Sequence, residues 1–264
     1  MTSESNMSSI VLKVDEVSLS FGGVHALSDV NFQISSNDIN SIIGPNGAGK
    51  SSMLNVLNGV YRPQKGVITL NGKSQNRWTP QAVAREGVAR TFQNIALFKG
   101  MTVLENIQTG RCLMNRSTFL GQAFRSPQSR REDIQDREKA EELLEFLEIQ
   151  AVRKTSVGQL SYGLQKRVEL GRALAAEPKL LLLDEPMAGM SPDEKHDMTR
   201  FILQAKEEYQ MTVILIEHDL GVVMDISDHV IVLDYGKKIA DGTPDEVKTD
   251  QKVIDAYVGK NTDI

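Results

Sequence analysis

Nine residues constrain this chain more than any others. GPNGAGKSS, Gly44 to Ser52, fits the pattern G-x-x-x-x-G-K-[ST]. It lies between a short apolar run, INSII at 39–43, and a stretch of helical character from about Lys50 to Leu57. A strand that runs into a glycine-rich loop and continues as a helix aims consecutive backbone N–H groups at one place, where they can wrap phosphate oxygens. Lys50 would reach the β- and γ-phosphates of a nucleotide, and the Ser51 hydroxyl would hold Mg²⁺. Gly44, Pro45, Asn46, Gly47, Ala48, Gly49 and Ser52 complete the cradle.

The remaining sequence fits such a loop into an α/β chain. Residues 10–34 read as two strands around a Gly-Gly turn, GVITLNG at 66–72 as another strand, 80–86 as a short helix and GVARTF as a further strand. From about residue 94 the character becomes helical, over 102–114 and a charge-dense 130–149, with a basic, turn-forming connection NRSTFLGQAFRSPQS between them. Strand and helix then alternate: KLLLLD, a helix at 193–209, MTVILI, a helix at 218–226 and HVIVLD. That alternation predicts a mainly parallel sheet flanked by helices, its apolar strands covered on both faces. The 264 residues suffice for one large domain, and the polar first nine predict a disordered tail. The net charge of −5 gives no global argument for nucleic acid, and the single Cys112 builds no disulfide framework within the chain. No apolar run approaches the roughly 20 residues that span a bilayer.

Several polar residues fall where a parallel sheet puts its ligand, at the C-terminal ends of strands. In LLLLDEP, Asp184 ends an apolar run beside the phosphate loop, where it can orient Mg²⁺ through water. Glu185 follows, placed to accept a proton from the attacking water or to polarise it. Gln93 follows ARTF and could touch Mg²⁺ or that water; His218 follows TVILIE and could donate to the γ-phosphate. Taken singly, a Gln or a His is more often a surface or core residue; the shared placement singles these out. LSYGLQKRVELGRAL, 160–174, opens a further helix at Ser161, an N-cap. Gly163 in its first turn lowers helix stability, yet small residues at a positive helix end are suited to hold an anion.

The phosphate loop, TFQN, LSYG, LLLLDEP and IEHD occur in the order and spacing of an ABC-type ATPase, and the resemblance runs over about residues 10–260. It implies a P-loop NTPase (RecA-like) core with an antiparallel β subdomain (about 10–92 and 175–240 together), an inserted α-helical subdomain (about 94–174) and a short C-terminal extension (241–264), all within one domain over 10–262. It implies ATP and Mg²⁺ as ligands. LSYG resembles the signature that, in this family, binds the γ-phosphate of ATP held by the other subunit of a head-to-tail dimer, here through Ser161 and Gly163. Phe21, in SFGG, would lie against the adenine ring. Tyr162 stands for the first signature glycine, Leu164 for its glutamine, Ser191 for the usual aspartate after Glu185, and SSNDIN at 35–40 for a Gly-Glu turn.

FGGVHALSDVNF, GVARTFQNIALFKGMTVLENI, AGMSPDE and GKKIADGTPDEVKTDQKVIDAYVG narrow the resemblance to the larger ATP-binding subunit of branched-chain amino acid importers. This implies a second ATPase as heterodimer partner, two membrane permeases, a periplasmic binding protein reached indirectly, and a peripheral place on the cytoplasmic face of the inner membrane. The helical region beyond Gln93 would receive a permease helix, and no nucleic acid is expected. Relatives importing urea, short amides or aromatic acids, a soluble ABC factor outside transport, a P-loop kinase and an exporter ATPase are the competing readings. A kinase leaves LSYG, Gln93 and His218 unexplained.

Overall fold

The computed structural model describes residues 10–75, 77–112, 114 and 127–258. The expected tail at 1–9, most of the basic connection and the end of the C-terminal extension lie outside the described residues. Among the described residues ten strands form two sheets. Strands β1 (Ile10–Phe21), β2 (Val24–Ser35), β4 (Lys65–Leu70) and β5 (Lys73–Gln75) make an antiparallel sheet in the order β2-β1-β4-β5. The second sheet runs β10-β9-β3-β8-β7-β6, from β3 (Ile39–Ile43), β6 (Val88–Arg90), β7 (Leu180–Asp184), β8 (Thr212–Ile216), β9 (His229–Asp234) and β10 (Lys237–Gly242). Its pairs are parallel except for the edge hairpin β9–β10.

Strands β3, β7 and β8 are buried at every position. Because successive side chains point to opposite faces, each strand supplies two cores. Leu180, Leu182, Ile214 and Ile216 pack with Met53 and Leu54 of helix α1 (Lys50–Leu57) and with Leu12, Val14 and Phe32 of the antiparallel sheet. Leu181, Leu183, Val213 and Leu215 face the other way. They meet Phe201 of α6 (Pro192–Tyr209), Leu143 of α4 (Pro127–Phe146) and Val168 of α5 (Tyr162–Leu174). Helix α3 (Val103–Thr109) packs on α4 and α5. A smaller core joins Ile43, Val230 and Val232 to α7 (Leu220–Ile226), α8 (Pro244–Thr249) and α9 (Gln251–Val258). Helix α2 (Pro80–Arg85) precedes β6.

Helix ends depart from the periodicity where a local feature intervenes. The helix expected over 102–114 runs only from Val103, behind the Thr102–Glu105 capping box, to Thr109. The helix expected to reach 149 stops at Phe146, and Glu148 turns into the left-handed region at φ 57°. Asp219 caps α7, which therefore starts at Leu220 rather than His218. In SSNDIN, Asn37 makes the turn into β3 at φ 64°, a conformation Asn tolerates.

Candidate active site

The loop between β3 and α1 closes on itself through glycine. A Cβ on Gly44 would lie 2.0 Å from the Leu233 carbonyl oxygen, and one on Gly49 2.6 Å from that of Ala26. Both have positive φ, 150° and 103°. The loop is thereby pressed against β9 and β2, and the Gly236 N–H donates to the Ala48 carbonyl at 2.9 Å. Lys50 is buried, and its ammonium donates to the carbonyls of Gly44 (2.7 Å) and Pro45 (3.1 Å). The cleft in front, about 300 Å³, is lined by Asn46 to Ser52, by Val24, His25 and Ala26 of β2, and by Gln93, Glu185 and His218.

Those last three come from three separate strand ends and meet on one carboxylate. The Gln93 amide donates to Glu185 Oε2 at 3.0 Å, and His218 Nε2 lies 2.7 Å from Oε1, donating when Glu185 is ionised. Glu185 itself has a left-handed backbone, φ 48°, with its N–H held by the Ile216 carbonyl at 2.9 Å. A non-glycine residue there is strained, and the neighbouring strands hold it in place. Behind it, buried Glu217 accepts from the Met187 N–H (2.8 Å) and the His218 N–H (3.2 Å), tying the loops after β7 and β8 together. Burial pushes the Glu217 carboxyl up, partly offset by those two amides.

Asp184 ends β7 with its two oxygens in different states. Oδ2 accepts from Arg90 Nη2 at 2.8 Å, both side chains being about 5% exposed, while Arg90 Nη1 donates to Asn55 Oδ1 at 2.7 Å. Oδ1 is buried with no hydrogen-bond partner among the described residues. A buried carboxylate oxygen left open in this way is costly unless something cationic or a cation's water completes it. Ser51, Gln93 and Asp184 also line a second recess beside the first. A hydroxyl, an amide and an open carboxylate oxygen are hard oxygen donors of the kind Mg²⁺ takes, directly or through water, so the residues present fit that ion.

The remaining candidates lie elsewhere. Phe21 does not line the cleft: it is 47% exposed and meets the Tyr61 ring edge-on at 5.0 Å. Ser161 caps α5, accepting from the Leu164 N–H at 3.4 Å, and with exposed Tyr162 forms a separate outward-facing helix start. Gly163 has a reason beyond free N–H groups, since a Cβ there would lie 2.1 Å from Glu194 Oε1. Ser191 caps α6 in a capping box with that same Glu194. The Tyr162 ring lies against Gly189, in the loop that follows Glu185. Sequence reasoning missed Arg90, Asn55, His25 and Glu217. A charged residue at the end of an apolar strand was the available signal for Arg90 and Glu217; for Asn55 and His25 there was none.

Comparison with known proteins gives concordant results. A model described as ABC transporter matches residues 27–188, and one described as Branched-chain amino acid ATP-binding cassette transporter matches 237–262. The high-affinity branched-chain amino acid transport ATP-binding protein BraF of Pseudomonas aeruginosa is 40% identical over 96% of this chain and its own full length. LivG of Salmonella typhimurium, of the same description, is 36% identical with the same coverage. A solved ATP-binding cassette of an ABC transporter in its ADP conformation superposes with a TM-score of 0.82 at 34% identity, over 96% of this chain and all of that one.

Proposed function

This chain belongs to the ABC transporter family of ATP-binding subunits, and from that membership we propose that it energises uptake of branched-chain amino acids across a membrane. It is an ATPase, with ATP as substrate and Mg²⁺ as companion ion. The convergence of Gln93 and His218 on the Glu185 carboxylate, at the mouth of the phosphate loop, carries the assignment of residues.

In this reading the backbone N–H groups along Gly44 to Ser52, Pro45 excepted, cradle the phosphates and Lys50 supplies the positive charge beside them. Ser51, Gln93 and, through water, Asp184 would hold Mg²⁺, which would supply neutralisation of phosphate charge. Glu185, fixed from both sides, accepts the proton of the water that attacks the γ-phosphorus, and ADP leaves. His218, here donating to Glu185, is within reach of the same place to donate to the γ-phosphate. Phe21, edge-on to Tyr61 and paired across the strands with Val24 of the cleft wall, is the ring we assign to stacking on the adenine.

Ser161 and the positive end of α5 face outward, with Gly163 buried behind them against Glu194, and we assign this helix start to the nucleotide of a second ATPase subunit in a head-to-tail pair. The departures at Tyr162, Leu164 and Ser191 favour a heterodimer over self-pairing. Among the described residues no helix is long and apolar enough to cross a membrane, so two permeases would do the spanning. Exposed Phe92, next to Gln93 in the chain, and exposed Phe98 further along the same segment offer apolar area for a permease helix at the cytoplasmic face of the inner membrane. The solute is selected by those permeases and a periplasmic binding protein.

Glu185→Gln keeps the hydrogen-bonding shape of the side chain and removes its basicity. ATP affinity should stay within about two-fold while steady-state hydrolysis drops on the order of 100-fold or more. Lys50→Ala should instead weaken nucleotide binding at least about ten-fold. Equilibrium titration and phosphate release read both; full hydrolysis by Glu185→Gln would remove Glu185 from its role.

A further inference from the structure

Helix α5 does more than present Ser161 and Gly163. Three of its residues, spaced three apart along one face, grip the backbone on both sides of Gln93. Lys166 Nζ donates to the carbonyls of Gln93 (3.2 Å) and Phe92 (3.5 Å). Glu169 Oε1 accepts the N–H groups of Phe92 (3.3 Å) and Ala96 (3.4 Å). Arg172 Nη1 donates to the Ala96 carbonyl at 2.5 Å. Lys166 and Glu169 also pair at 3.8 Å, with side chains 2% and 1% exposed.

The ionic groups are expensive for this position. Burial pushes the Glu169 carboxyl up, and its Oε2 has no hydrogen-bond partner among the described residues. Replacing such a buried pair with apolar side chains is often neutral or stabilising, so stability alone is weak grounds for it. What the pair does is fix irregular backbone. Phe92 to Ala96 belong to neither strand nor helix, and their polar groups find partners in α5 side chains. That segment carries the Gln93 amide, which lies on Glu185.

We propose that Glu169 and Lys166 are positioning residues for hydrolysis: through the backbone of 92–96 they hold the Gln93 amide against Glu185 and make that contact move with α5. The proposal rests on the hydrolysis reading above. Its consequence is a mechanical link within one chain. The start of α5 faces the partner's nucleotide, and the middle of the same 13-residue helix fixes a group in this chain's own site. A displacement at Ser161 therefore reaches Glu185 without passing through the sheet.

The test uses the full-length chain co-purified with its partner subunits from mildly solubilised membranes, as wild type and as three variants. Glu169→Gln keeps an Oε1 acceptor for both amides; Glu169→Leu removes it at similar volume; Lys166→Met removes the grip on the Gln93 carbonyl. Two quantities are read: hydrogen–deuterium exchange of a peptide spanning 91–97, and kcat and KM for MgATP. Glu169→Leu and Lys166→Met should speed exchange in that peptide and lower kcat on the order of 10- to 100-fold, the scale expected when a reacting geometry slips by about 1 Å, with KM within about two-fold. Glu169→Gln should restore both readouts most of the way to wild type. The proposal is overturned if kcat is unaffected in Glu169→Leu and Lys166→Met. It is equally overturned if Glu169→Gln fails alongside Glu169→Leu with exchange raised throughout the sheet, the mark of a merely structural role. An inactive wild-type complex would instead bring down the hydrolysis reading first.

Discussion

In the proposed reading Asp184 serves two purposes with one carboxylate. Oδ2 neutralises Arg90, which is almost as buried and spans from β6 to Asn55 of α1; Oδ1 is left open beside Ser51 and Gln93. A residue that were only structural would have both oxygens satisfied, and one that only served an ion would not be buried against an arginine. The two purposes separate by substitution. Asp184→Leu leaves a buried guanidinium without its counter-charge and should cost about 3–5 kcal/mol in urea unfolding. Asp184→Asn keeps an acceptor for Arg90, so its stability loss should be smaller, yet it removes the charge that attracts the ion. Mg²⁺ half-saturation of hydrolysis should then rise on the order of ten-fold. Equal stability losses in the two variants would contradict this division.

At the scale of elements, the caps decide where function can sit. Ser191 stands where the family's usual aspartate would be, and it still performs the local task an aspartate would, accepting the Glu194 N–H at the start of α6. Ser191→Ala should therefore cost about 1 kcal/mol of stability, and Ser191→Asp close to nothing, by urea unfolding. A loss with Ser191→Asp as large as with Ser191→Ala would show that the hydroxyl does something other than cap. The same element shows what was legible in the chain. INSII, LLLLD and TVILI are apolar throughout and are the strands buried on both faces; α1 begins at Lys50, as the loop motif requires. Gln93, Glu185 and His218 were legible because each follows a strand, and a parallel sheet brings such ends together. The Arg90–Asp184 pair joins residues 94 apart, and the approach of Glu194 to Gly163 joins two helix starts; no local pattern encodes either. Glu169 was hidden for another reason. On an amphipathic helix a Lys and a Glu three apart read as a solvated face, whereas here they face the backbone around Gln93.

On the scale of the whole molecule, one parallel sheet explains most of the arrangement. Its two faces carry separate cores, one shared with α1 and the antiparallel sheet and one with α4, α5 and α6. Its strand ends deliver the phosphate loop, Asp184, Glu185 and His218 to a single edge. The start of helix α5 is exposed at Ser161 and Tyr162, while its side chains turn back to grip the Gln93 segment. In the proposed reading such a chain carries the phosphate loop and its carboxylates for one nucleotide and the α5 start for another, which suits a subunit that works in a pair and hands its motion to membrane partners. The most direct measurement is uptake of radiolabelled leucine by cells carrying the gene, by cells deleted for it, and by deleted cells complemented with wild type or Glu185→Gln. The account predicts that deletion abolishes high-affinity uptake, wild type restores it and Glu185→Gln does not. Unchanged uptake after deletion, or full restoration by Glu185→Gln, would contradict it.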